Sequence, residues 1–148
     1  MRSVSAVRVC AGPLEQLERR WYDVRRWPEW VDGLERIDAV EGPWPQVGAI
    51  VRWTSGPAGR GEVCETVESY QPGAGQCVKV QDPAIEGRQT VRFAPVEGGV
   101  EVALSLEYRL RRHPLVMWLV DVLFVARAMR ASLETTLQRF TSGPATER

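Results

Sequence analysis

Among the ionisable side chains, Glu65 has the setting best suited to proton transfer. It lies between Val63 and Val67 in a stretch, Glu62–Tyr70, that alternates apolar and polar residues. If the Val63–Glu65–Val67 face points inward, the carboxyl is desolvated, its pKa rises, and it can serve as a general acid or base. The competing register turns Cys64, Thr66 and Tyr70 inward and leaves Glu65 in water. Tyr108 stands on the apolar face of a later stretch, where its hydroxyl needs a partner in protein, water or ligand. Asp121 is the one charge inside an apolar helical run. It either pairs with Arg109, Arg111 or Arg112 or sits at a pocket mouth. His113 is the only histidine and, before Pro114, reads as a helix-entry residue.

Other chemistries lack their residues. One histidine, scattered cysteines (Cys10, Cys64, Cys77) and no HExxH pair argue against a metal site. Gly56-Pro57-Ala58-Gly59 and Gly73-Ala74-Gly75 read as hairpin turns and not as phosphate-cradling loops. There is no GxSxG elbow. No metal and no cofactor are expected.

The elements that must position these groups follow from periodicity. Ser3–Cys10 alternates and reads as a strand. Ala11-Gly12-Pro13 opens a helix with Pro13 at its first position and Leu14, Leu17 and Trp21 as its stripe. A short helix over Pro28–Asp32 ends at Gly33. From there the period is two, with turn signals every eight to twelve residues. The strands are Leu34–Glu41, Ala49–Ser55, Glu62–Tyr70, Gln76–Gln81, Arg88–Ala94 and Val100–Leu110, joined as an antiparallel meander. Their inner faces should carry Val51 and Trp53, Val91 and Phe93 (Arg92 outward), and Val102, Leu104, Leu106, Tyr108 and Leu110.

Pro114 to about Ser142 reads as one helix of roughly 40 Å. Its core stripe is Leu115, Leu119, Val122, Ala126, Met129, Leu133, Thr136 and Phe140. A second stripe begins apolar (Val116, Val120, Leu123, Phe124) and turns charged at Arg127, Arg130 and Glu134. The helix's first half therefore needs cover on two sides. Four tryptophans (Trp21, Trp27, Trp30, Trp44) gather in the short-helix region and the first sheet loop, as packing or as a pocket rim.

The chain has 148 residues, is 44% hydrophobic and 26% charged, and balances nineteen basic against nineteen acidic residues. That composition suits a single globular domain over residues 1–148 and excludes disorder and a general electrostatic grip on nucleic acid. Three cysteines without a CxxC give no disulfide framework. The N-terminus lacks a signal-type apolar core, and Leu115–Ala126 is too short for a membrane span. A cytoplasmic protein without an integral membrane segment is expected, and a homodimer is left open.

Strand, two short helices, six-strand meander and long C-terminal helix make an α+β helix-grip arrangement: a curved antiparallel sheet of about seven strands wrapped around one helix. One helix cannot fill the concave side of a twisted sheet, so a pocket remains. On this order, and on Gly12-Pro13-Leu14, Trp27-Pro28-Glu29-Trp30 with Val31-Asp32-Gly33-Leu34, Pro45-Gln46-Val47-Gly48, Gly98-Gly99 and His113-Pro114-Leu115, the sequence resembles the START-type SRPBCC superfamily. That superfamily includes polyketide cyclases and lipid-transfer domains. The resemblance covers about residues 3–142 and implies a pocket for a small hydrophobic or aromatic molecule of lipid, polyketide or isoprenoid class. It transfers no catalytic set.

The expected pocket wall is Trp53, Val91, Phe93, Leu104, Leu106 and Tyr108 from the strands, Leu115, Leu119, Val122, Ala126 and Met129 from the helix, and Trp30. Three readings stand: a carrier of such a ligand, a polyketide cyclase or dehydratase using Glu65, and a protein-interaction or quinone-chaperone module.

Overall fold

The computed structural model describes residues 1–56, 61–111 and 118–142, the last range for side chains only from residue 125 onward. Strand β1 (Arg2–Cys10) is followed by α1 (Leu14–Tyr22), a single 3-10 turn (Val24–Arg26) and α2 (Trp27–Trp30). The meander is β2 (Leu34–Glu41), β3 (Ile50–Ser55), β4 (Glu62–Gln71), β5 (Gly75–Gln81), β6 (Ile85–Val96) and β7 (Gly99–Leu110), and α3 (Trp118–Ser142) closes the described chain. All pairings are antiparallel in the order β1-β7-β6-β5-β4-β3-β2, so the first strand closes against the last. This is the helix-grip architecture the residue order implies.

Boundaries differ where local chemistry decides. Pro13 precedes α1 in an extended conformation, and Leu14 opens the helix. The helix α2 starts at Trp27 and ends at Trp30, because Val31 turns extended. Strand β6 begins at Ile85, three residues earlier than alternation suggests: Asp82 Oδ1 accepts from the Ala84 and Ile85 amides at 2.8 Å and turns the chain into the strand.

The inner sheet face is the core. Val51, Trp53, Val63, Val67, Val91, Phe93, Val102, Leu104, Leu106 and Tyr108 are all buried, Leu110 is half-buried, and Arg52 and Arg92 point outward. Helix α3 lies across this face against β1, β7 and α2. At 1.5 Å per residue its 25 residues span about 38 Å. Leu133, Thr136, Leu137 and Phe140 form its buried face, Ala126 and Met129 are half-buried, and Arg127, Arg130 and Glu134 face water.

Closing the sheet around one helix requires tight curvature, and Gly87 supplies some of it. It pairs with Tyr108 on β7 and Val80 on β5. A Cβ there would overlap the Glu107 carbonyl oxygen and lie 2.8 Å from Tyr108 Cα. Two register shifts also interrupt the β2–β3 pairing, at Leu34/Arg36 and Ile37/Ala39, and one interrupts β4–β5 at Val67/Ser69.

Gly87→Ala should therefore lower stability by about 1–3 kcal/mol in denaturant unfolding, as overpacking does. Gly56→Ala, whose Cβ would meet nothing within 4 Å, should shift it by less than about 0.5 kcal/mol. Equal effects would remove Gly87 from the curvature account.

Candidate functional site

Strand β4 carries the central group. Val63, Glu65 and Val67 all face inward, and Glu65 is only 7% exposed. The register that buries it therefore prevails, while Cys64, Thr66 and Tyr70 are half-buried. Glu65 pairs across the ladder with Val51, and Trp53 with Val63. Trp53 and Glu65 are thus diagonal neighbours on one face, within reach for long side chains. The Trp53 indole donates from Nε1 to Glu65 Oε2 at 2.6 Å, inside the core.

Facing them is an aromatic wall built by the short helices. Trp21 of α1, Trp30 of α2 and Phe140 of α3 meet with ring centroids 4.6 to 5.0 Å apart. Trp27 Nε1 donates to Trp21 O at 2.8 Å, which locks α2 onto the end of α1. Trp44 Nε1 does the same to Tyr22 O at 2.9 Å. Thr136 Oγ1 accepts from the Asp32 amide at 3.0 Å and ties α3 to the loop after α2.

Between sheet, short helices and α3 lies a cavity of about 50 Å³. Trp21, Trp27, Trp30 and Trp53 wall it, with Val78, Val80, Val91 and Leu104 from the sheet and Ser132, Leu133 and Thr136 from α3. Glu65, Gln76 and Gln89 bring polar groups to it, and Val31 and Asp32 complete it. Gln76 Nε2 donates to Pro45 O at 2.9 Å. On this measure one water needs about 10–15 Å³, and an engineered cavity of about 150 Å³ takes benzene. The cavity holds a few waters; a ring enters only if its walls yield.

Of the residues expected to line a pocket, Trp30, Trp53, Val91 and Leu104 line this one, as does Glu65. Phe93, Leu106 and Tyr108 are buried elsewhere in the core. Ala126 and Met129 are half-buried on α3 and do not line the cavity. Leu115 falls outside the described residues, and for Leu119 and Val122, like Asp121, only the α3 backbone is described. Arg109, a suggested partner for Asp121, pairs with Glu86, and Arg111 Nη1 donates to Asp82 O at 2.9 Å.

The expected wall omitted Gln76 and Gln89. Register was the available signal: Gln89 pairs with inward Leu106 and Val78, and Gln76 with inward Val91. Among the described residues, no group of three or more His, Cys, Asp or Glu could hold a metal, and no helix is long and apolar enough to cross a membrane.

Three buried polar atoms have no hydrogen-bond partner among the described residues: Tyr22 OH, Tyr108 OH and Trp30 Nε1. Burial pushes all three tyrosines, Tyr22, Tyr70 and Tyr108, above the ordinary phenol range; Tyr70 and Glu18 add to the effect at Tyr22, and Glu18 at Tyr70.

A family model described as "Polyketide cyclase / dehydrase and lipid transport" matches residues 1–142. No curated protein matches the sequence. Among solved structures, TTHA0849 from Thermus thermophilus is 20% identical with TM-score 0.77, covering 95% of this chain and 94% of that one. The di-domain ARO/CYC StfQ from the steffimycin biosynthetic pathway is 14% identical with TM-score 0.77, covering 95% of this chain and 49% of that one. Norcoclaurine synthase from Thalictrum flavum, in complex with dopamine and hydroxybenzaldehyde, is 16% identical with TM-score 0.62, covering 88% and 84%. At these identities the likeness is one of fold.

Trp53→Phe keeps the ring and deletes the donor to Glu65. It should cost about 1–3 kcal/mol in denaturant unfolding; no loss would mean the 2.6 Å bond is not formed in solution. The tyrosines give a pH test. Unfolded tyrosine ionises near pH 10, and the folded groups ionise higher. Their contribution to stability is therefore complete below about pH 10 and lost as pH rises above it. Phenolate absorbance should appear together with loss of circular dichroism. Phenolate from Tyr22 or Tyr108 forming in an intact fold would contradict the burial of their hydroxyls.

Proposed function

Because the chain belongs to the polyketide cyclase/dehydrase and lipid transport family, we propose that it binds a small hydrophobic or aromatic molecule between the sheet and α3. The observation that carries this reading is the cavity itself: four indoles and six aliphatic side chains around a few inward polar groups. Ligand sites are built this way, with apolar walls for affinity and few polar groups for orientation. Indole faces stack on planar rings, which favours an aromatic ligand over a flexible acyl chain. The norcoclaurine synthase neighbour holds two small aromatic molecules, dopamine and hydroxybenzaldehyde, which supports the same class.

A second reading, an enzyme of cyclase or dehydratase type, rests on Glu65. A carboxyl buried on a sheet strand and oriented by the Trp53 N–H is positioned to move a proton at a bound ligand. The StfQ neighbour, an ARO/CYC protein, is consistent with it. A protein-docking module would expose Trp27, Trp30 and the apolar start of the long helix at Val116; Trp27 and Trp30 are 5% and 2% exposed, and Val116 lies outside the described residues.

Native against denaturing mass spectrometry of freshly purified protein should reveal a mass excess lost on denaturation, whose value identifies the ligand class. A bare protein that also takes up no apolar dye would overturn the binding reading. With a ligand in hand, Glu65→Gln separates the two readings. A carrier should bind within about threefold of the parent, whereas an enzyme should lose about 10²–10⁴ in turnover while still binding.

A further inference from the structure

We infer that Gln89 is the residue by which this cavity selects its ligand, and that it selects a planar amide, a carboxamide or lactam, by meeting the amide C=O and N–H together. The inference rests on the binding reading above and names the polar group the site takes. Gln89 stands on β6 directly across from Val78 of β5 and Leu106 of β7, both buried on the inner face, and it lines the cavity. Val91 and Leu104 continue that face as buried aliphatic side chains. Gln89 interrupts it with a carboxamide that is half-buried and has no hydrogen-bond partner among the described residues.

The other inward glutamine is different. Gln76 is buried, and its Nε2 donates to Pro45 O at 2.9 Å, which holds the loop between β2 and β3. That carboxamide serves the fold. A polar side chain on a core face without a partner costs stability, and an apolar one of the same shape would be tolerated or preferred. Sequences break the apolar pattern in this way at functional sites. The chemistry of the group then names its partner. A carboxamide sets an acceptor oxygen and a donor nitrogen side by side in one plane. A ketone or ester only accepts and leaves Gln89 Oε1 unmet; an ammonium only donates and leaves Nε2 unmet. A hydroxyl places both functions on a single oxygen, which cannot lie in line with both. An amide whose C=O and N–H lie side by side answers both atoms with two parallel hydrogen bonds.

The probes are benzamide and acetophenone, which match in shape and differ by an NH2 in place of a methyl. Both must displace the same tryptophan wall, so their affinity ratio reports the amide N–H. Binding is read through indole N–H cross-peaks of nitrogen-15-labelled protein and through the Gln89 side-chain NH2 pair, assigned by Gln89→Met. Benzamide should shift the Gln89 pair saturably and bind about fivefold or more tighter than acetophenone. In Gln89→Met the ratio should fall to about one or below. Without ligand, Gln89→Met should unfold at the same or a higher denaturant concentration than the parent, whereas Gln76→Met should unfold at a lower one. Three results would overturn the inference while leaving the binding reading intact: Gln89→Met unfolding at a lower denaturant concentration than the parent, acetophenone binding as tightly as benzamide, or a benzamide preference that survives Gln89→Met. If neither probe moves any indole or Gln89 signal, both fail.

Discussion

The contact on which the rest of the molecule depends is the meeting of Trp21, Trp30 and Phe140. A sheet coiled this strongly presents a concave apolar face that a single helix cannot cover. The deficit is met by rings delivered from α1, α2 and the last turns of α3, packed at tilted and edge-on angles that suit aromatic quadrupoles. Arg20 lies over the outer side of Phe140, 4.5 Å from its centroid, and extends the stack to the surface. Because α2 is only four residues long, backbone hydrogen bonding contributes little to its position. Its rings hold it. The same packing that seats α2 therefore determines how much empty space remains beside Glu65 and where the Trp30 N–H points.

Much of this was legible in the chain. The meander follows from turn spacing and the inward residues of β3, β6 and β7 from alternation, while the pairing of β1 with β7 follows from neither. Alternation fails where the ladder shifts. Glu65 shows why. Val67 and Tyr70 have opposite parity, yet both pack on the core, because the register shift at Val67/Ser69 lies between them. A strand that changes parity midway supports two registers when read as one. Gln76 and Gln89 were overlooked for a related reason: polarity suggests solvent, and only cross-strand pairing with Val91, Leu106 and Val78 reveals that they face inward. Leu137 completes the buried α3 face one turn after Leu133 and lay outside the eight-residue stripe. Cavity volume was beyond reach, since periodicity gives the direction of a side chain and not the fit of its ring against another.

The site's placement in the fold bears on both readings of function. Glu65 is on β4, flanked by paired strands on both sides, so its backbone is held to the tolerance that an acid, a base or a binding group needs. Part of the facing wall, Trp27 and Trp30, rests on a four-residue helix reached through a 3-10 turn. One side of the pocket is therefore a fixed platform, and the other is held by side-chain packing that a ligand can rearrange.

The two register shifts in β2 matter beyond local geometry. This strand ends the sheet, and an unpaired strand edge is a template on which another chain can add. With its ladder broken twice within eight residues and Glu35, Arg36, Asp38 and Glu41 along it, β2 offers no long flat run of free amides and carbonyls. Neighbouring molecules are denied a docking rail there, and a crowded solution of this protein is protected from edge-to-edge polymerisation along that side.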